Sequence, residues 1–432
     1  MDDRSTELPR VLFVSINPFS ATSNNGKTFA SFFEGYPRDS LAQLYFHREI
    51  PTSPVCDRYF RITDEQLLRS GGQLWRVSGE RVSAESPSTT PFPARTHAAL
   101  KGSRTVRLLR QLLWTAVPFD DAALLTWLDE FRPQIVFFCG GDAAALYPKV
   151  TSLGERYDAK FVLYVTDDYV LPVRSRNVSA LLMRWWTRRA FTRFARRADL
   201  VLTIGDAMSD AYAEAFGIES MPVMNMVPVP VVRPLPRTKT SDGPMELLYA
   251  GSLHSNRWRV LGLLVESCER LARRGVEIRL RLVGPEPEPQ ARAAVHRPPY
   301  GQHDGLLPPH ELGLAIAGSD TLVHVESGDT HSMAVVALSV STKIPEYLAS
   351  GRSVLAIGPR GVASIDYLDR HDAAMVLEPD DTEGLDRALT ALADRPGLHH
   401  ELAERGFALA RRNHDGPQTR RLLWTRLREM TS

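Results

Sequence analysis

Two charged residues, Lys343 and Glu346, stand three positions apart in the stretch STKIPEYLASGRSVLAIGP, which runs from Ser341 to Pro359. That spacing puts both on one face of a short helix, which Gly351 ends before an apolar strand and a Gly-Pro turn. A helix starting near Ser341 or Thr342 offers free N–H groups and a partial positive charge, which suit a phosphate. Lys343 would add a full positive charge beside them. Glu346, one turn on, could accept hydrogen bonds from a ribose diol. An anion-binding helix start followed by a carboxylate is what a nucleoside diphosphate needs. The plainer alternative is an exposed helix with an i,i+3 ion pair, worth a few tenths of a kcal/mol.

Further candidates lie elsewhere in the chain. In YVTDDYV, Asp167 and Asp168 follow an apolar run and could act as a general base on a hydroxyl or bind hydroxyls directly. A lone carboxylate pair is weak evidence for a metal, and a turn-capping role is the alternative. In FSATSNNGK, Gly26 would let backbone approach a bound sugar or phosphate closely; a plain strand-to-helix turn is the alternative. In VESGDTH, Glu326, Ser327 and Asp329 could face a ligand. His324 reads as a core residue of the preceding strand, and His331 as a loop residue. Neither a GxGxxG fingerprint nor a GxxxxGK[ST] loop is present.

The elements that must position these residues alternate between strand and helix. Val11 to Ser15, LAQLYF, QIVFFCGG, KFVLYVTDD and ADLVLTIG read as strands, and helices are expected near 104–114, 120–131 and 176–197. DAMSDAYAEAFG reads as a helix with Asp206 as N-cap and Gly217 as its stop. Residues 64–103 read as loops and an insertion. The proline-dense run MPVMNMVPVPVVRPLPRTKTSDGPM then reads as a linker without regular structure. The alternation restarts with MELLYAG, EIRLRLVG and DTLVHVES as strands and RWRVLGLLVESCERLARRG as an amphipathic helix. Two helices, about 398–413 and 417–430, finish the chain. The expected fold class is α/β, two Rossmann-like doubly wound domains facing across a cleft, with ligands beyond the carboxyl ends of the strands. The expected boundaries are 1–225, a linker at 226–245, 246–413, and a final segment 414–432.

Composition narrows the classes. The chain has 432 residues, is 43% hydrophobic and 24% charged, and carries a formal net charge of +1, so no global field favours nucleic acid. Its three cysteines, Cys56, Cys139 and Cys268, are far apart and suggest neither a disulfide framework nor a zinc site. The start MDDRSTELPRVLFVS lacks the basic and apolar regions of a signal peptide, and no run reaches the ~18 apolar residues of a membrane span. A cytoplasmic protein is the expectation.

The stretch around Lys343 and Glu346 resembles the donor-site segment of nucleotide-sugar glycosyltransferases of GT-B architecture, most of all the group-1, family-4-like retaining enzymes. ELLYAGSLHSNRWRVLGLLVES is similar to that family's first strand-loop-helix of the second domain, RLRLVGP to its second strand, and ADLVLTIGDAMSDAYAEAFG to the close of its first domain. The resemblance covers most of the chain loosely and residues 245–360 best. It implies that the first domain takes the acceptor and the second the nucleotide-sugar donor, that no catalytic metal or cofactor is needed, and that the last helix crosses back to the first domain. By position, it makes Glu346 the ribose-binding glutamate and puts Arg257 where the family has a diphosphate-gripping Lys. An Arg can fill that role with two hydrogen bonds. Gly251, Ser252, Gly284, Lys343 and Thr342 complete the implied donor site. Asp167 falls near a family His that contacts the donor sugar. Two departures stand out: Ser252 occupies the place of a family Arg, and Leu338 that of its first glutamate. The implied activity is sugar transfer to a hydroxyl, with a saccharide or lipid-linked acceptor, in polysaccharide or glycolipid assembly. A nucleotide-sugar epimerase and a non-catalytic binding homologue are the alternatives.

RSRNVSALLMRWWTRRAFTRFARRAD has many arginines interleaved with Leu and Trp and no acid before Asp199. Arg with Trp and Leu at helical spacing can seat a helix on an anionic bilayer, so peripheral membrane contact through 176–197, at the inner face of the plasma membrane, is one expectation. A helix with its apolar stripe on the core and solvated arginines is the other. Nucleic acid is not expected.

Overall fold

The computed structural model describes residues 7–21, 24–69, 79–82, 104–117, 119, 121–171, 177–234, 243–329, 333 and 336–432. His331 and the loop stretch 83–103 lie outside them. The chain divides into two compact units, Met1–Val223 with Pro417–Ser432, and Met224–Gly416.

In the first unit, β1 (Val11–Ser15), β2 (Leu41–Tyr45), β3 (Arg58–Arg61), β4 (Glu80–Val82), β5 (Ile135–Cys139), β6 (Lys160–Val165), β7 (Leu200–Thr203) and β8 (Met221–Pro222) form one sheet in the order β4-β3-β2-β1-β5-β6-β7-β8. All neighbours are parallel except β3 and β4. The central strands are covered on both faces, which is why VLFV, IVFF and FVLYV are almost wholly apolar and fully buried. Phe13 sits at their centre, its ring 5.1 Å from both Phe29 and Phe137. The final helix, Gly416–Glu429, belongs to this unit from Pro417 on. Trp424 Nε1 donates to Phe32 O at 2.9 Å, and Arg420 pairs with Glu34 at 2.7 Å.

Several local expectations change. The sheet includes β3 and β4, which sequence periodicity did not separate from loop, because each is only three or four residues long at one edge. The proline-dense run begins with a strand after all. Met221–Pro222 pairs with β7 at the sheet edge, where a residue without an N–H is tolerated. Asp206 is the first residue of its helix rather than its cap: Gly205 precedes it, and Gly217 ends the helix in the left-handed region at φ 64°.

In the second unit, β9 (Met245–Ala250), β10 (Ile278–Val283), β11 (Gly301–His303), β12 (Thr321–Val325), β13 (Ser353–Ile357) and β14 (Met375–Leu377) form an all-parallel sheet in the order β11-β10-β9-β12-β13-β14. The chain winds outward from β9 through β10 to β11, then returns to β12 on the other side and continues to β14. Strand order therefore reverses between β9 and β12. In doubly wound sheets the crevice outside the carboxyl ends at that reversal is the ligand site. Two helices flank it: one follows β9, Arg257–Ala272, and one precedes β13, Lys343–Ala349. The stretches Ala363–Arg370 and Pro289–Val295 are also helical, beyond those expected.

Candidate functional site

At the carboxyl ends of β9 and β12, Arg257, Glu326, Lys343 and Tyr249 converge from four separate segments. Arg257 is the first residue of its helix and turns back over the sheet. Its Nη2 donates to Glu326 Oε2 at 2.9 Å, and its Nε donates to the same oxygen and to Val325 O, both at 3.2 Å. Ser255 and Asn256, just before the helix, are both left-handed, with φ 58° and 57°. That tight entry brings Arg257 to the end of β12. Asn256 is anchored in turn by a hydrogen bond from its Nδ2 to Asp329 Oδ2 at 3.1 Å, and Ser327 donates to the same oxygen at 2.7 Å. Glu326 and His324, two residues apart on one face of β12 and its extension, are 3% and 1% exposed, with His324 Nε2 3.5 Å from Glu326 Oε1. Burial, with Lys343 and Arg257 close by, holds the His324 pKa well below its usual range, so the ring is neutral.

Lys343 is not part of an exposed ion pair. Its Nζ reaches across to β9, 3.3 Å from Tyr249 Oη and 4.5 Å from the centre of that ring. Tyr249 Oη in turn donates to Ser252 O at 2.7 Å, which pins the loop after β9. Desolvation, reinforced by Arg257 and opposed by Glu326, brings the Lys343 pKa from 10.5 down to about 8. Gly251 makes this approach possible: a Cβ there would lie 2.1 Å from Lys343 Nζ. Gly284 has a matching role at the end of β10, where a Cβ would fall 2.2 Å from Gly251 O. Tyr347, on the same helix as Lys343, accepts a hydrogen bond from Ala250 N at 2.9 Å and fixes that helix to the end of β9. Thr342 is exposed at the helix start and makes no capping hydrogen bond, and Glu346 stands one turn further along. The helix is only seven residues long, so the cations at this site come from side chains more than from a helix dipole.

Lys343, Arg257, Gly251, Ser252 and Gly284 are thus brought together. Sequence spacing did not reveal Tyr249 and Tyr347, which look like core residues of a strand and a helix. Their signal was a hydroxyl in a buried apolar run, which demands a partner. Leu338 lies in a turn before the helix.

The first unit treats its candidates differently. Asp168 is consumed by the fold. Its Oδ1 accepts from Val170 N and Leu171 N, both at 3.0 Å, and from Tyr212 Oη at 3.1 Å, while Oδ2 takes a salt bridge from Arg184. This is turn capping plus a nearly buried ion pair. Asp167 accepts from Tyr169 Oη at 3.3 Å and from Thr166 Oγ1 at 3.2 Å, and lines a small pocket with Gly141, Tyr147 and Tyr164. Gly26 is buried in the first helix, and its missing Cβ leaves room for the chain's own loop, 2.4 Å from Pro18 O, rather than for a ligand.

A separate cavity lies at the amino end of β9, lined by Glu246, Arg281, Glu311 and Leu314 among others. It is on the wrong end of the sheet for the reversal-point site. Among the described residues, no group of three or more His, Cys, Asp or Glu side chains is placed to hold a metal ion. All three cysteines are free and buried, and burial pushes the Cys139 thiol up to about 12.

Two mainly parallel doubly wound sheets in one chain define a fold class, and solved structures share that fold over the full length. The chain is similar to the sucrose-phosphate synthase of Thermosynechococcus elongatus, with 12% identity, a TM-score of 0.61, and 97% of this chain and 98% of that one covered. It is similar to the alpha,alpha-trehalose 6-phosphate synthase of Burkholderia multivorans, with 11% identity, a TM-score of 0.60, and 98% and 97% covered. It is also similar to Anabaena HepE in complex with UDP, with 13% identity, a TM-score of 0.61, and 97% and 99% covered; HepE is also known in complex with UDP-glucose. No family model matches the chain, and no curated protein matches it in sequence. The fold is the GT-B fold of two Rossmann-like domains, and these structural neighbours are nucleotide-sugar glycosyltransferases.

Proposed function

We propose that the protein is a glycosyltransferase that moves a sugar from a nucleoside diphosphate sugar to a hydroxyl acceptor. The observation that carries this reading is the convergence of Arg257 and Lys343, over Gly251, at the strand-order reversal of the second sheet. A diphosphate there would displace Glu326 from part of the Arg257 guanidinium and meet two cations from two segments. As the bond to the sugar breaks, negative charge grows on the diphosphate, and preorganised cations stabilise that charge more than the bound donor. Glu346 takes the ribose hydroxyls. In the first unit, Asp167, which lines a small pocket beside Tyr169, engages an acceptor hydroxyl, whereas Asp168 is spent on Arg184, Tyr212 and the turn. A saccharide or lipid-linked acceptor, in polysaccharide or glycolipid assembly on the cytoplasmic side of a membrane, completes the reading. Lys343 supplies the positive charge missing at Ser252, which stands where the family resemblance leads one to expect an Arg.

The test is thermal stabilisation by UDP, GDP, ADP and dTDP and their sugars, with and without EDTA, on wild type, Arg257→Ala and Glu346→Ala. The expected result is a shift for one nucleotide, insensitive to EDTA and lost in both variants. Release of nucleoside diphosphate only when acceptor is added then separates a transferase from an epimerase, which needs none, and from a non-catalytic binder, which releases none. No shift with any nucleotide would remove the donor-site assignment.

A further inference from the structure

We infer that the first unit seats on an anionic lipid bilayer through the solvent face of the helix Val178–Ala195. This inference does not depend on the transfer reading. Successive residues of an α-helix are 100° apart, so positions 178, 181, 182, 185, 189, 193 and 196 share one face, the last just past the helix end. Its first half is apolar and exposed: Val178 is 78% exposed, Leu181 42%, Leu182 48% and Trp185 58%. Its second half is cationic and exposed: Arg189, Arg193 and Arg196. The opposite face, Thr187, Phe191, Phe194 and Ala195, is buried. Phe191 packs 5.4 Å from the ring of Tyr212 and Phe194 5.2 Å from Phe138, so the stripe is held on a rigid mount.

Among the described residues, the other arginines of this helix and its end have internal work. Arg184 pairs with Asp168, Arg188 lies 4.6 Å over Phe216, and Arg197 pairs with Glu155. The three on the outward face are those left for external anions, and the chain has no acidic residue between Asp168 and Asp199 to repel them. A stripe that is apolar for two turns and then cationic for two matches a headgroup layer, where Trp and Leu enter the interface and Arg meets phosphate. A nucleic acid would use the arginines but leave the apolar row in water. Among the described residues no helix is long and apolar enough to cross a membrane, so the contact is a surface one.

The experiment is co-sedimentation of the full chain, without nucleotide, with vesicles of phosphatidylcholine alone and with phosphatidylglycerol added. The expected result is binding only to the anionic vesicles, weakened by salt. The Arg189→Glu/Arg193→Glu/Arg196→Glu variant should lose affinity on the order of a hundredfold, and Leu182→Ser/Trp185→Ser roughly tenfold. Both should keep the wild-type unfolding midpoint, since neither set faces the core. Failure to bind anionic vesicles, or binding unchanged in both variants, overturns the proposal. So does retention on RNA or duplex DNA that is lost with the arginines and kept without Trp185, which would mark a polyanion site. A concentration-dependent dimer that Leu182→Ser/Trp185→Ser abolishes would mark a self-association face and overturns it as well.

Discussion

Past the end of β6, Asp168 takes hydrogen bonds from two backbone amides and a tyrosine, and a salt bridge from Arg184. Past the end of β9, among the described residues, Arg257 has one carboxylate and one carbonyl, and Lys343 beside it has a phenol. Both sheets are wound the same way, so both present loops at the place where such folds bind ligands. The first unit has turned Asp168 into structure there. Gln43 follows the same rule at the reversal between β1 and β5: it gives its Nε2 to Ser15 Oγ and Asn17 O and takes Phe19 N on its Oε1. In the second unit Arg257 and Lys343 are set close to Glu326, with His324 neutral and the Lys343 pKa lowered to about 8. A fully satisfied polar network rigidifies, whereas an under-compensated one is poised for a counter-ion.

The comparison breaks most visibly at Asp168. Asp168→Ala leaves Arg184 nearly buried without its carboxylate and strips the caps from Val170 and Leu171. Urea unfolding should show a loss of about 3–5 kcal/mol, while nucleotide affinity of the folded fraction stays at the wild-type value. A variant as stable as wild type would mean that the first cluster is not structural.

Arg257→Ala should divide into two effects. Nucleotide affinity, read by calorimetry, should fall by about 2–3 kcal/mol, or roughly 30- to 150-fold, through loss of a bidentate charged contact. Stability should fall too, because Glu326, 3% exposed, is left unpaired. Adding Glu326→Gln to Arg257→Ala should restore most of the stability and none of the affinity. Recovery of both would show that Arg257 holds the fold rather than the ligand.

Gly251→Ala is the finer probe. Its Cβ would lie 2.1 Å from Lys343 Nζ, so the lysine must move away from Tyr249. A loss of about 1–3 kcal/mol in stability is expected, with weaker nucleotide binding. An Ala variant with wild-type affinity would mean that the position of Lys343 does not matter to binding.

How much of this was legible beforehand follows from what kind of information each part needs. The alternating apolar runs gave both sheets, because a parallel strand covered on two faces must be apolar throughout. Lys343 was visible because a charge at the start of an apolar helix is anomalous. Its direction was not: it reaches 94 residues back along the chain to Tyr249, and only the tertiary fold sets that distance in space. The Arg257–Glu326 pair spans 69 residues, and no spacing rule reaches so far. Asp168 misled for the opposite reason. A carboxylate after a strand looks the same in sequence whether it faces a ligand or caps its own turn, and the cap is decided by Arg184 and Tyr212, on two later helices. The short strands β3, β4 and β11 were missed because three or four residues carry too little periodicity to read.

The smallest effect separates the two roles of Lys343 by pH. Its pKa falls from 10.5 in the unfolded chain to about 8 in the folded one. Below about 8 the lysine is charged in both states, and burying that charge is a standing cost to the fold. Between about 8 and 10.5 the unfolded chain holds a proton that the folded protein has released, so stability must rise with pH across that window and level off above it. Nucleotide affinity should move the other way. As pH rises through about 8 the ammonium is lost, and with it one of the two cations offered to the diphosphate. In the unfolded chain tyrosine and cysteine groups titrate in the same range, so the informative quantity is the difference between wild type and Lys343→Met. The Met variant should be the more stable protein at neutral pH, the weaker binder there, and should lack both slopes that distinguish wild type. If wild type and Lys343→Met kept parallel stability and affinity profiles from pH 7 to above 10, the lysine would be as settled in its site as Asp168 is, and the contrast between the two sheets would rest on Arg257 alone.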